Sequence, residues 1–117
     1  RGLAGGVLQA TVAALGVAPA ELHAWLGPAI GPTAFEVGPE VRAAFMAGVP
    51  GSEACFRRNE RERYLADLYG LAERILRQAG VATVHGGGWC THEEPTRFFS
   101  FRRDGATGRM ATLAWLA

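Results

Sequence analysis

Pro95 to Leu116, PTRFFSFRRDGATGRMATLAWL, is the stretch whose reading decides the fold. An apolar pair, Phe98 and Phe99, leads through Ser100 to the pair Arg102 and Arg103. Turns follow at Asp104-Gly105 and at Thr107-Gly108. Met110 to Leu116 then mixes Thr with apolar residues and lacks Gly and Pro, which predicts a buried or half-buried terminal strand. A strand needs partners or a cover, so earlier segments must supply a sheet. The two arginines stand just before that strand, where fixed positive charge can face an anion.

Working outward, Tyr64 to Gln78 carries Leu65, Leu68, Leu71, Ala72, Ile75 and Leu76 on one stripe, which predicts a helix closed by Gly80. Val81 to Val84 then reads as a short strand, and helix, glycine, strand is the connection of a layered α/β or α+β domain. Near the start, Leu3, Val7, Leu8, Val12 and Leu15 recur at helical spacing, with Gly16 as the stop and Pro19 beyond it. Gly5 and Gly6 weaken that helix by ~1 kcal/mol each relative to Ala, which points to close packing. Glu21 to Ile30 reads as a strand in which Pro28 marks an end or an edge. Phe35 to Val37 is a short extended piece. Gly38-Pro39-Glu40 opens a helix that ends near Gly48, with Pro and an acid in its first turn. Val49 to Arg63 is a polar interruption whose charge run, RRNERER, reads as a solvated face with i,i+4 pairs.

The composition sets outer bounds. With 117 residues, 49% apolar and 20% charged, the chain holds one globular domain at most. A formal net charge of +1 gives no argument for nucleic acid or an anionic membrane as partner. All 12 basic residues are arginine, a usage that codon bias and a preference for forked donors would each produce. Two cysteines, Cys55 and Cys90, make no disulfide framework, so a reducing cytoplasm is expected. No apolar run reaches the ~18 residues of a membrane span. The chain opens on Arg1-Gly2-Leu3, without a start methionine and already inside a helical pattern. That predicts a piece of a longer protein.

Three local patterns invite chemistry. Gly27 to Pro32, GPAIGP, is either a tight turn between strands or a main chain free to pass close to a ligand. His85, Cys90 and His92 fall within eight residues among glycines, in the manner of a loop zinc site. They lack a helical ligand pair and a CxxC knuckle, so a glycine-rich, substrate-facing loop with Cys90 turned inward is the preferred reading. Cys90 as nucleophile would need a base, for which His92 is only a nominal candidate. Cys55, beside Arg57 and Arg58, reads as an ordinary loop cysteine.

Three segments in the same order carry a resemblance that spans the chain: WLGPAIGPTAFEVGPEVRAAF from Trp25, LADLYGLAERILRQAGV from Leu65, and WCTHEEPTRFFSFRRDGATGRMATLAWL from Trp89. They resemble the C-terminal half of the laccase-domain family, also called YfiH-like, the multicopper polyphenol oxidase domain or peptidoglycan editing factor. The resemblance implies an α/β (α+β) layered sandwich, mixed sheets covered by helices, of which residues 1–117 form the C-terminal part. It implies zinc-dependent purine nucleoside chemistry: phosphorolysis of adenosine and inosine, adenosine deamination and cleavage of methylthioadenosine. Copper-dependent phenol oxidation is the older label, and His23, His85, Cys90 and His92 are too few ligands for a copper cluster. A bacterial role in editing cell-wall precursors is also implied.

In the family the metal is held by two histidines and a cysteine, all before the matched region, one of them in a stretch HAGWRGL of which this chain carries only RGL. No metal ligand and no catalytic residue is therefore assigned here, and the chain alone is expected to be catalytically incomplete. Thr33-Ala34 also stands where the family often has cysteine. What this half offers is recognition of a purine nucleoside and of phosphate. Arg1, Arg102 and Arg103 are the forked donors, Ser100 is a hydroxyl, and the Gly27 to Gly31 loop supplies backbone N–H groups. The competing reading makes Arg102 and Arg103 a structural pair bound to Glu93, Glu94 or Asp104. Phe98, Phe99, Trp25, Trp89 and Trp115 are assigned to the core rather than to stacking on a base. A binding or assembly module that keeps the fold without catalysis is the alternative. Oligomeric state is left open, and apolar edges predict poor solubility for the isolated fragment.

Overall fold

The computed structural model describes residues 2–115; Arg1, Leu116 and Ala117 lie outside the described residues. The fold is organised around α3, Leu68–Gln78, whose apolar stripe is fully used. Leu71 and Ile75 pack with Phe45, Val49 and Cys55 in one core cluster. Leu76 packs with Val12 and Val81 in a second, and Leu8 touches both. Asp67 caps the helix by accepting a hydrogen bond from the Gly70 N–H at 3.0 Å, as an N-cap carboxylate should. Gly80, at φ +99°, ends it in the left-handed conformation that an L side chain resists.

The other helices are α1, Val7–Ala14; α2, Pro39–Gly48; and α4, a single turn at Phe101–Asp104. The strands form two sheets. β1, His23–Leu26, pairs in parallel with β5, Thr83–Gly86, and the pairing resumes as an isolated bridge between Ala29 and Cys90. β2, Glu36–Val37, and β3, Phe56–Arg58, flank β4, Tyr64–Ala66, in an antiparallel sheet ordered β2-β4-β3. Parallel and antiparallel sheets with helices against them make the fold α/β.

Several expectations are corrected. The helix read from Tyr64 begins only at Leu68, because Tyr64–Ala66 is the central strand β4 and Asp67 is the cap. The charge run of residues 57–63 is largely exposed and holds an i,i+4 pair, Arg58 with Glu62, as expected, but it forms a hairpin: β3 leads into a turn at Asn59, with Glu62 at φ 57°, and returns as β4. The strand read over residues 21–30 shrinks to β1, after a 3-10 turn at Pro19–Glu21. Residues 110–115 form no strand: Leu113 and Trp115 are 80% and 81% exposed, since no sheet edge among the described residues receives them. Trp25 and Phe99 are likewise exposed rather than core, and Trp89 and Phe98 are half-buried.

Candidate functional site

Ser100 caps α4 by accepting from the Arg103 N–H at 3.3 Å, and one helical turn fixes where the two arginines go. Successive residues on a helix point ~100° apart, so neighbours in sequence part company. Arg103 turns inward. Its Nη1 donates to the carbonyls of Thr91 at 2.8 Å and His92 at 3.2 Å, and its Nη2 to that of Phe98 at 3.0 Å. Its Nε and Nη2 also hold the Asp104 carboxylate. Those hydrogen bonds from Arg103 hold the Asp104 carboxyl below the usual aspartate range. Arg103 is a structural clamp, and Asp104 is the acid of the pair expected from sequence.

Arg102 turns outward. It lies over the Phe35 ring, 5.2 Å from its centroid, and Nη1 donates to the Glu36 carbonyl at 2.8 Å. Its remaining donors have no partner among the described residues. They face an open cleft of about 1060 Å³, with Thr33, Arg57, Arg58, Asn59, Arg61 and His92 among its lining. Three carboxylates, Glu36, Glu60 and Glu93, share that lining. Two of them are engaged: Glu36 accepts from Asn59 at 2.6 Å and pairs with Arg63 at 3.3 Å, and Glu93 accepts from the Thr33 hydroxyl at 2.7 Å. Arg58 is paired with Glu62 at 3.1 Å. Arg57 has no ion pair among the described residues. The cleft therefore offers two forked cations, Arg57 and Arg102, whose chemistry suits an oxyanion.

Of the phosphate- and nucleoside-binding residues expected from sequence, only Arg102 lines that cleft among the described residues; His92, weighed as a metal ligand, lines it too. Ser100 is buried at 6% exposure and engaged as a cap. Gly27 and Gly31 serve packing. A Cβ on Gly27 would press on the Trp25 ring at 3.2 Å, and one on Gly31 would press on Cys90 at 3.0 Å. The Gly31 N–H donates to the Cys90 thiol at 3.1 Å. Arg1 lies outside the described residues. Tyr69, which sequence reasoning passed over, ties the two loops: its hydroxyl accepts from the Ala29 N–H at 2.8 Å and donates to the Trp89 carbonyl at 2.7 Å. Arg57, Asn59 and Thr33 were also missed. The Asn inside an otherwise charged run was the available signal, because its side chain accepts from the N–H groups of Arg61 and Arg63 and so makes the hairpin turn.

His85 is exposed on β5, in register with Trp25, and His92 lines the cleft. Among the described residues, no three side chains of His, Cys, Asp and Glu converge as a metal ion requires. No described helix is long and apolar enough to cross a membrane.

The chain is similar to two curated proteins, one solved structure and one family model. A Pseudomonas aeruginosa protein named a purine nucleoside phosphorylase is 54% identical over 117 residues, covering 99% of this chain and 48% of that protein. Escherichia coli YfiH, given the same name, is 52% identical over 116 residues, or 99% of this chain and 47% of its own. A Neisseria meningitidis crystal structure superposes with TM-score 0.89 at 54% identity, covering 92% of this chain and 45% of that one. The chain thus spans about half the length of the curated relatives it matches. A family model described as multi-copper polyphenol oxidoreductase laccase matches residues 1–117. On that full-length match and those identities, the chain belongs to the multi-copper polyphenol oxidoreductase laccase family.

Proposed function

We propose that the chain is part of an enzyme that phosphorolyses purine nucleosides, and that its share of the site is a wall that receives phosphate. The relatives' names supply the reaction class. The observation that carries the assignment to this half is the outward guanidinium of Arg102, open toward a cleft that also holds the unpaired Arg57. In phosphorolysis a phosphate oxygen bonds to C1′ of the ribose and the C1′–N bond breaks. The bonding pair leaves on the purine nitrogen, which takes up a proton. Attack requires a dianion or monoanion held beside the sugar, and forked donors in a cleft do that without forming a covalent bond.

The zinc implied by the resemblance finds no ligand set among the described residues, so no step is routed through it. The two free thiols, Cys55 and Cys90, favour a reducing compartment, and we place the protein in the cytoplasm.

The test uses the native gene product with inosine or adenosine, with and without inorganic phosphate. Base release should depend on phosphate, and Arg102→Ala should raise the KM for phosphate about tenfold, the loss of one charge-assisted contact. Base release that is indifferent to phosphate, or no turnover of either nucleoside, removes the proposal and leaves a binding module.

A further inference from the structure

β2 divides two cavities. Alternation sends Glu36 to the arginine cleft and its two neighbours, Phe35 and Val37, to the opposite side. On that opposite side lies a second cavity of about 530 Å³, walled by Phe35, Val37, Val41, Phe45 and Leu68. Its size and apolar lining are those of a small-molecule site, which usually runs ~300–1,000 Å³ with a few placed polar groups. Two polar groups stand at this one. Glu40, exposed in the first turn of α2, folds its carboxylate over Gly38, where a Cβ would collide with it. The other is Arg102, the one side chain among the described residues that lines both cavities.

We infer that this apolar cavity is the subsite for the purine base, with Arg102 at the junction between the base and the phosphate cleft. The inference rests on the phosphorolysis reading and deepens it. A purine is flat, aromatic and apolar on its faces, and carries N–H donors on its edge. Phe35 and the aliphatic wall suit the faces, and the Glu40 carboxylate suits an edge N–H. The anion stays across β2, among the arginines. A ligand with one aromatic part and one anionic neighbour is thereby sorted by the alternation of a single short strand.

The test fills the cavity from its exposed side. Ala44 lines it and is exposed, so Ala44→Trp obstructs it without entering the core; Ala47→Trp, exposed on the same helix outside the cavity, is the control. Calorimetric titration of the native gene product with hypoxanthine, and separately with inorganic phosphate, gives a readout independent of turnover. Ala44→Trp should weaken hypoxanthine at least about tenfold and leave phosphate within about twofold, while Ala47→Trp changes neither. Should Ala44→Trp melt early, Ala44→Leu should give a smaller loss of the same kind. Undiminished hypoxanthine binding by a folded Ala44→Trp overturns the inference, as does an absence of hypoxanthine binding by the unsubstituted protein. If that protein turns over inosine and Ala44→Trp leaves the nucleoside KM unchanged, the subsite fails and the phosphorolysis reading stands. If it binds hypoxanthine, loses it on Ala44→Trp and shows no phosphorolysis, the subsite stands and the reaction falls.

Discussion

Arg103→Ala separates the clamp from the anion site. Three main-chain carbonyls, those of Thr91, His92 and Phe98, accept from this guanidinium at 2.8 to 3.2 Å. The side chain is only 20% exposed, so water replaces it incompletely. At about 1 kcal/mol per bond, the figure for a neutral pair, taken in place of the larger one for a charged donor because the carbonyls are only part-buried, the substitution costs ~3 kcal/mol. The Asp104 pair is on the surface and adds little to that figure. Urea unfolding of the native gene product reads the loss as a lower midpoint at unchanged slope. Arg102→Ala, which removes one bond from an exposed group, should cost under ~1 kcal/mol in the same assay. Phosphate KM should respond in the reverse order. An Arg103→Ala protein within about 0.5 kcal/mol of the unsubstituted one would refute the clamp and reopen Arg103 as a binding residue.

Tyr69→Phe removes one hydroxyl and leaves both the Ala29 N–H and the Trp89 carbonyl without it, for a cost of ~2 kcal/mol and faster hydrogen exchange at Ala29; unchanged exchange sinks the staple. Gly86→Ala should be among the most damaging changes on β5, because φ is +90° there and a Cβ would strike the Leu26 carbonyl oxygen. A melting temperature equal to that of the unsubstituted protein counts against the parallel pairing. Asp104 has its folded pKa lowered, so its contribution is present above the unfolded aspartate value and is lost as pH falls below it. The stability gap between the unsubstituted protein and Asp104→Asn should therefore close only in strong acid. Cys55, whose thiol burial pushes up in pKa, should resist alkylation at neutral pH until the protein unfolds.

What could be read from sequence was what local periodicity controls. Leu71, Ala72, Ile75 and Leu76 form a stripe that only a helix satisfies, and Gly80 marks its end, so α3 was legible. Pro39 and Glu40 marked the start of α2 for similar reasons. β4 was not legible, because Leu65 falls three residues before Leu68 and joins the helical stripe without a break. β3 was hidden because Arg57 and Arg58 are both exposed, and a strand that buries neither residue shows no alternation. The terminal stretch had a strand's composition, but composition does not supply the partner that a strand requires. Arg102 and Arg103 are identical in type and adjacent. Only the capped turn of α4 gives one to three carbonyls and the other to a cleft.

The same dependence on short elements explains why the chemistry gathers at β2. Its paired portion is two residues, Glu36 opposite Leu65 and Val37 opposite Tyr64, extended by the Ala66 N–H donating to the Phe35 carbonyl at 2.9 Å. A slip of one residue would exchange the faces, sending Phe35 into the arginine cleft and Glu36 into the apolar cavity. Three constraints oppose that slip. Val37 is buried at 4% exposure, the Glu36 carboxylate is held by Asn59 and Arg63, and the Glu36 carbonyl accepts from Arg102. Each constraint fixes the register from a different element: the core beside α2, the β3–β4 hairpin, and α4. The partition between a polar cleft and an apolar cavity is therefore set by tertiary contacts that converge on two residues, and the arginine that spans it is one of those contacts.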